Sequence, residues 1–189
     1  QKLKEKIMND GNSIVIFGGR IPLSLTNIYF DNQEGGIEGK DFWFKYISLG
    51  KYSSLQESFK NEVSQLSNKN EIILIYPIPE VGWDVPNKIW ISRKNKLFAK
   101  SNLTTVTTSY KVYKERNKSS FEMLDSVTGK NIYRVYPHEL FCDTIVKNRC
   151  VTHDEKSVFY SDTNHPSPKS AQMINDLIIK KINQIESKL

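Results

Sequence analysis

Residues 13–20 read SIVIFGGR and contain the feature that decides the fold, an unbroken apolar run that ends in two glycines. A run of this kind is typical of a strand buried on both faces of a parallel sheet. Functional loops in such sheets follow the C-terminal ends of the strands, and that position is held here by Gly18, Gly19 and Arg20. Paired glycines allow a ligand to approach the backbone closely, and the Arg20 guanidinium offers several hydrogen-bond donors in a fixed geometry. On pattern alone, however, a plain turn at the end of a strand is the better interpretation.

Two further segments predict strands of the same sheet, EIILIY at residues 71–76 and NIYRVY at residues 131–136. Amphipathic spacing and start signals predict three helices, which cover about residues 54–66, about residues 107–127 and the chain from Ser167 onward. The stretch from about residue 87 to residue 103 gives no clear pattern. Alternating strands and helices predict one α/β domain over residues 1–189, built as three α/β/α layers around a parallel sheet.

The composition is that of a globular domain with a core. The chain has 189 residues, of which 38% are hydrophobic and 25% charged, and its formal net charge is +6. Lysines and arginines are scattered along the chain, which favours a solvated surface over nucleic-acid binding. No apolar run approaches the roughly 20 residues that span a bilayer, and the sequence pattern predicts no signal peptide within these residues. The charged stretch that starts at Gln1 suggests a piece of a longer protein.

A proline-rich loop follows the second predicted strand. Residues 77–86 read PIPEVGWDVP, and the three prolines around Glu80, Trp83 and Asp84 predict a stiff loop. Because this loop and the glycine turn both follow strands of one parallel sheet, they outline a cleft at one edge of it. The aromatic cluster FWF at residues 42–44 is interpreted as an anchor that pins a long loop to the core.

A carboxylate and an imidazole lie close together near the C-terminus, where residues 160–168 read YSDTNHPSP. Asp162 and His165, at a strand-to-helix turn, suit the roles of orienter and general base for a nucleophile. By itself the pair is a weak motif, and its plain interpretation is a turn-forming acid beside a helix-flanking histidine. His138 and His153 are interpreted as surface residues.

The two cysteines, Cys142 and Cys150, are eight positions apart. Two cysteines are too few for a structural zinc site unless distant histidines join them, and no metal site is predicted. Their spacing is compatible with a disulfide in an oxidising compartment and equally with two free thiols.

Four segments together carry a resemblance to a known family. Residues 160–167 resemble the last conserved block of the SGNH hydrolases, and more narrowly that of the SGNH domain fused to membrane acyltransferase-3 proteins, which O-acetylate cell-surface polysaccharides such as lipopolysaccharide. The proline-rich loop at 77–86 resembles a loop of that domain, residues 140–143 with Cys150 resemble its cysteine-bracketed loop, and residues 14–20 resemble its strand that leads to an arginine. The segments occur in the family's order and cover nearly the whole chain.

The resemblance implies a Ser-His-Asp mechanism in which His165 activates a serine and Asp162 orients His165. The family's serine belongs to a Gly-Asp-Ser block after the first strand, and this chain has no such block. The nearest imitation, GNS at residues 11–13, precedes a strand, so Ser13 is rejected as the nucleophile. The first strand and its serine are therefore expected upstream of Gln1, which would make this chain the C-terminal part of an SGNH domain, inactive alone.

Two departures from the family pattern concern the substrate side of the cleft. Arg20 takes the place of the usual oxyanion-hole Asn, so Gly19 and Arg20 are candidates for contacts to the oxyanion or the sugar. The Trp expected next is Ile21. Pro166 stands where Leu is commoner.

The function implied by the resemblance is acetyl transfer to a hydroxyl of a polysaccharide. The acetyl group would come from acetyl-CoA through a transmembrane acyltransferase-3 domain of the same parent chain, and this domain itself would hold no cofactor. The parent would be anchored in the cell membrane with this domain on the periplasmic or outer side, which suits a Cys142–Cys150 disulfide. The alternatives are a free-standing SGNH esterase that deacetylates glycans and a non-catalytic glycan-binding or scaffold domain.

Overall fold

Helices and strands alternate along most of the chain. A computed structural model describes residues 2–39, 47–48, 51–99 and 105–188. Its helices are α1 (Lys2–Asp10), α2 (Ile21–Thr26), α3 (Leu55–Ser67), α4 (Val85–Ala99), α5 (Tyr110–Asp125) and α6 (Pro168–Glu186). Its strands are β1 (Ile14–Phe17), β2 (Glu71–Ile75), β3 (Thr107–Ser109), β4 (Ile132–Val135) and β5 (Arg149–Val151), and a 3₁₀ helix covers Pro137–Leu140. The aromatic cluster at 42–44 lies outside the described residues.

Strands β1, β2 and β4 form one parallel sheet in the order β1-β2-β4, as the three apolar runs predicted. Along the central strand β2, the buried side chains of Ile72 and Leu74 pack in a core with residues of α3 and α5. Ile73, on the opposite face, packs with Val135 and with Ile185 of α6. Since successive side chains of a strand point to opposite faces, this alternation gives the three α/β/α layers and confirms the predicted fold class.

The start of α6 fixes the position of the segment before it. Ser167 is the N-cap, and its hydroxyl accepts a hydrogen bond from the backbone N–H of Ser170 at 3.3 Å. Pro168 occupies the first helical position, where its missing N–H costs nothing. The predicted start of this helix is confirmed.

Two predicted boundaries are wrong. Thr107–Ser109 is a strand because it pairs antiparallel with Arg149–Val151, and the helix begins only at Tyr110. The proline-rich loop is shorter than predicted, because α4 begins at Val85 and continues through the stretch that gave no sequence pattern.

The cysteines form a disulfide, which decides between the two alternatives that their spacing left open. The sulfur atoms of Cys142 and Cys150 are 1.99 Å apart, and both residues are buried. The bond ties the chain after the 3₁₀ helix to β5, which pairs with β3 in front of α5.

One edge of the main sheet is open. Among the described residues, no strand pairs with the side of β1 that faces away from β2. Ile16, in the middle of β1, is 43% exposed, although it belongs to a run whose composition is that of a central strand.

Candidate active site

The carboxyl ends of β1 and β2 open into a cavity of about 220 Å³. Gly19 and Arg20 line it after β1, Glu80 after β2, and Asn164 and His165 from the segment before α6. The structure thus brings together residues predicted separately from three distant parts of the chain. A parallel sheet explains this, because all of its strands end at the same edge.

Asp162 and His165 form a hydrogen-bonded pair. Oδ2 of Asp162 is 2.6 Å from Nδ1 of His165, while Oδ1 accepts the backbone N–H groups of Asn164 at 2.9 Å and His165 at 2.8 Å. Partial burial would raise the pKa of Asp162, but the two backbone donors and the His165 ring hold it below its ordinary value. An ionised Asp162 places the ring proton on Nδ1, so Nε2 is the basic nitrogen of His165.

The proline-rich loop and the Asp162–His165 segment hold each other in place. The carbonyl oxygen of Thr163 accepts the backbone N–H groups of Val81 and Gly82, both at 3.0 Å. Gly82 has a φ of 75°, and a Cβ at this position would lie 2.5 Å from the carbonyl oxygen of Gly36. No other residue type fits there without strain, so the loop conformation that supports Thr163 depends on this glycine.

Arg20 is held between two carboxylates. Its Nε donates to Oε1 of Glu80 at 2.8 Å and its Nη1 to Oε1 of Glu38 at 2.6 Å, while Nη2 contacts both residues. Burial acts against the charge of Arg20, but the two carboxylates outweigh it and raise the pKa of the guanidinium above its ordinary value. Every guanidinium nitrogen therefore already has a carboxylate partner, which fixes Arg20 firmly and compensates much of its charge.

The network extends to both sides of Arg20. The second carboxylate oxygen of Glu80, which is buried, accepts from Nε of Arg116 at 2.9 Å. On the other side, the side-chain amide of Asn164 donates to Glu38. Sequence reasoning missed Glu38, Arg116 and Asn164. Of these three only Asn164 had a usable signal, its place inside the Asp162–His165 segment.

Gly19 keeps its backbone open to the cavity. It has a φ of 155°, and no atom lies within 4 Å of the position that a Cβ would take. A ligand atom can therefore approach the main chain here. Its candidacy for an oxyanion or sugar contact stays a prediction.

Trp83 does not line this cavity. Its ring lies against Gly36, where a Cβ would come within 2.4 Å of it, and Lys88 Nζ lies 4.9 Å from the ring centre. Its indole N–H is buried without a hydrogen-bond partner among the described residues. In the structure Trp83 anchors the loop that carries Glu80, and its contact with a substrate stays a prediction.

The other two histidines lie away from the cavity. His138 is buried, so its interpretation as a surface residue is wrong; it stacks on Tyr113 with ring centres 5.3 Å apart. His153 is partly buried, and its Nε2 accepts the backbone N–H of Val106 at 3.1 Å. Neither is placed to act with Asp162.

Ser13 lies at the wrong edge of the sheet to be activated by His165. It directly precedes β1, and its carbonyl oxygen accepts the N–H of Glu71 at the start of β2. The cavity is at the opposite, carboxyl ends of the same strands. No serine is among the described residues that line it, nor do the described residues contain a cluster of three or more potential metal ligands.

A comparison with protein families agrees with this geometry. The family model described as SGNH domain (fused to AT3 domains) matches residues 1–180. The chain belongs to this SGNH family. No curated protein and no solved structure gave a significant match. Membership of the SGNH family indicates esterase or acyltransferase chemistry in general terms and a parent protein anchored by a membrane acyltransferase domain. Of the helices described in this SGNH domain, none has the length and apolar character to cross a bilayer.

Proposed function

We propose that this SGNH domain transfers an acetyl group to a hydroxyl of a cell-surface polysaccharide. His165 is the general base and acid, Asp162 orients it, and the nucleophilic serine comes from chain outside these 189 residues. The observation that carries the proposal is the 2.6 Å bond between Asp162 and Nδ1 of His165 at the rim of a cavity. That bond leaves Nε2 as the nitrogen that exchanges protons with a nucleophile.

The proposed reaction has two steps that use the same imidazole. Nε2 of His165 accepts the serine proton as the serine oxygen attacks the acetyl carbonyl, and it returns that proton to the leaving group when the acetyl-serine forms. A sugar hydroxyl then gives its proton to Nε2 as it attacks the acetyl-serine, and the serine leaves with that proton. In both steps the Asp162 carboxylate stabilises the transient imidazolium.

The open edge of β1 supports the proposed origin of the serine. A further parallel strand paired there would end at the same edge as Gly18 and Arg20. The loop after that strand would then lie beside the cavity that contains His165. A serine in that loop would be within reach of Nε2, as the family resemblance implies for a Gly-Asp-Ser block after the first strand.

The proposed acyl source is acetyl-CoA, handled by the transmembrane acyltransferase domain of the same parent. The family description, which joins this SGNH domain to such domains, supports that arrangement. The Cys142–Cys150 disulfide supports a location on the oxidising, extracytoplasmic side of the membrane.

The test is acetylation of the polysaccharide by the parent protein with single substitutions in this domain. His165→Gln and Asp162→Asn are compared with Glu155→Gln, an exposed change in a neighbouring loop. Acetate esters on the isolated polysaccharide are counted by NMR. Loss of the ester with both site variants, and its retention with the control, is expected; normal acetylation with His165→Gln would overturn the proposal.

Hydrolysis is the second candidate, because the His165 side chain is 74% exposed and water reaches it freely. The two reactions differ only in the acceptor of the acetyl group. Free acetate and acetylated sugar are therefore measured in the same assay, with and without the polysaccharide. Acetate release that is unaffected by added polysaccharide would favour an esterase.

A further inference from the structure

Helix α4 has apolar side chains on two opposite sides. Val85 and Ile89 are buried and attach the helix to the core. On the outer side, Trp90 is 61% and Ile91 42% exposed. Packing in the core accounts for Val85 and Ile89 but not for Trp90 and Ile91. Exposed side chains of this size do not contribute the stabilising free energy that their burial would supply, so they call for another explanation.

The same part of the chain is strongly basic. Residues 85–114 contain no Asp or Glu, although the whole chain has 21 of them, and they contain seven Lys or Arg. Lys88, Arg93 and Lys94 are exposed on α4, and Nζ of Lys94 lies 5.2 Å from the centre of the Trp90 ring. Exposed tryptophan is enriched at membrane–water interfaces, and lysines beside it are attracted to anionic lipid.

The acidic groups nearest α4 are Asp84, an exposed residue directly before the helix whose carboxylate accepts the backbone N–H of Asn87, and a pair on the side of Arg93. Arg93 lines a cavity of about 720 Å³ with Asp154 and Glu155 of the loop before residue 157. The Asp154 carboxylate is occupied by the backbone N–H groups of Lys156 and Ser157, at 2.7 and 2.6 Å. Trp90, Ile91 and Lys94 are not part of that cavity, so its two carboxylates do not face them.

We propose that the outer face of α4, formed by Trp90, Ile91 and Lys94 with Lys88 beside it, binds the surface of a membrane that contains anionic phospholipid. The indole and the isoleucine enter the headgroup region, and the lysines pair with lipid phosphates. An acidic polysaccharide would match the lysines but leaves the exposed isoleucine unexplained. The family to which the chain belongs is fused to membrane domains, so the parent protein is held at a bilayer.

The test is co-sedimentation of the chain with lipid vesicles, which has no catalytic readout and so is independent of the proposed acetyl transfer. Vesicles of pure phosphatidylcholine are compared with vesicles in which about one third is phosphatidylglycerol. Binding to the anionic vesicles is expected to be stronger by at least about tenfold and to weaken as salt is added. A blue shift of tryptophan emission on binding, absent in Trp90→Phe, would place this indole in the lipid.

Matched variants separate this face from the rest of the surface. Trp90→Ala with Ile91→Ala, and separately Lys88→Gln with Lys94→Gln, should each lower vesicle binding by about tenfold or more. The controls are Ile179→Ala on α6, where the isoleucine is also exposed, and Lys111→Gln on α5. Circular dichroism checks that every variant is folded.

Three results would overturn the proposal. These are no preference for anionic vesicles, equal loss of binding in the control variants, and binding to a soluble acidic polysaccharide that displaces the chain from the vesicles. The last would assign the face to a glycan.

Discussion

The hydroxyl of Tyr160 donates a hydrogen bond to the carbonyl oxygen of Pro79, 2.8 Å away, and thereby joins the proline-rich loop to the segment that carries Asp162 and His165. Tyr160 is buried, and desolvation raises the pKa of its hydroxyl far above the ordinary value, so it stays protonated and remains a donor. The two sequence motifs of this domain are therefore parts of one structural unit.

Tyr160→Phe should destabilise the domain by about 1–3 kcal/mol, because the carbonyl of Pro79 would lose its buried partner. Urea unfolding measures the change. Tyr110→Phe is the control, since the Tyr110 hydroxyl makes no hydrogen bond to a described residue. An equal loss in both variants would show that the Tyr160–Pro79 bond has no special weight.

The ionised carboxylate of Asp162 should stabilise the folded state, and this contribution should be lost in acid. Its folded pKa lies below the ordinary 3.8, so between these two values the unfolded chain binds more protons and stability falls as the pH falls. Asp162→Asn keeps an oxygen for the backbone N–H groups of Asn164 and His165 but does not titrate. The melting temperature should therefore fall less steeply between about pH 5 and pH 2 for this variant than for the wild type. Parallel curves would contradict the lowered pKa.

Glu80→Gln should be the most damaging single change in the ion network. Glu80 is buried between Arg20 and Arg116, so its neutralisation leaves two guanidinium groups with one carboxylate fewer and costs about 3 kcal/mol. Lys111→Gln breaks the exposed pair with Glu115 and should change stability by less than about 0.5 kcal/mol. Urea unfolding of both variants tests the contrast, and similar values would remove the distinction.

His138 should make the domain less stable in weak acid. Burial among aromatic rings lowers its pKa below the ordinary 6.5, an effect that Glu139 only partly opposes. The unfolded chain therefore binds more protons between the folded pKa and 6.5, and stability falls as the pH falls through that window. His138→Phe keeps the stacking on Tyr113 and should flatten the curve between about pH 7 and pH 5. An unchanged slope would assign the effect to another group.

Reduction of the disulfide should destabilise the domain by about 2–3 kcal/mol, the loop-closure contribution for a loop of this length. Cys142 and Cys150 are eight positions apart. The unfolding free energy of the wild type is measured with and without reductant. The double variant Cys142→Ser with Cys150→Ser is measured in the same two conditions. The double variant should behave like the reduced wild type and be insensitive to reductant, and a reductant effect on it would point to a cause other than this bond.

The central sheet and its layers could be predicted because the relevant signals are local. Apolar runs mark β1, β2 and β4, and Ser167 with Pro168 marks the start of α6. Helix α4 was missed because its apolar residues occupy both sides, with Ile89 inside and Trp90 outside, so no single stripe exists. Strand β3 was missed because its pairing partner, β5, lies 40 to 44 positions away in the sequence.

The Asp162–His165 pair could be predicted because three positions on a turn bring the two side chains together. The environment of Arg20 could not be predicted from the sequence. Asn164 and Glu38 are 126 positions apart, and Arg116 and Glu80 are 36 apart, so their contacts arise only after the helices pack on the sheet. A sequence read alone presents Arg20 as a free cation, whereas packing surrounds it with carboxylates.

The open side of β1 has a practical consequence for handling the 189-residue chain. No described strand pairs with its outward N–H and C=O groups, which form a ready template for another extended segment, and Ile16 makes that template apolar. Copies at high concentration should therefore associate edge to edge, slowly and in proportion to concentration. Ile16→Lys would place a charge on that edge and oppose self-association, as charged residues do on the edge strands of natural sheets.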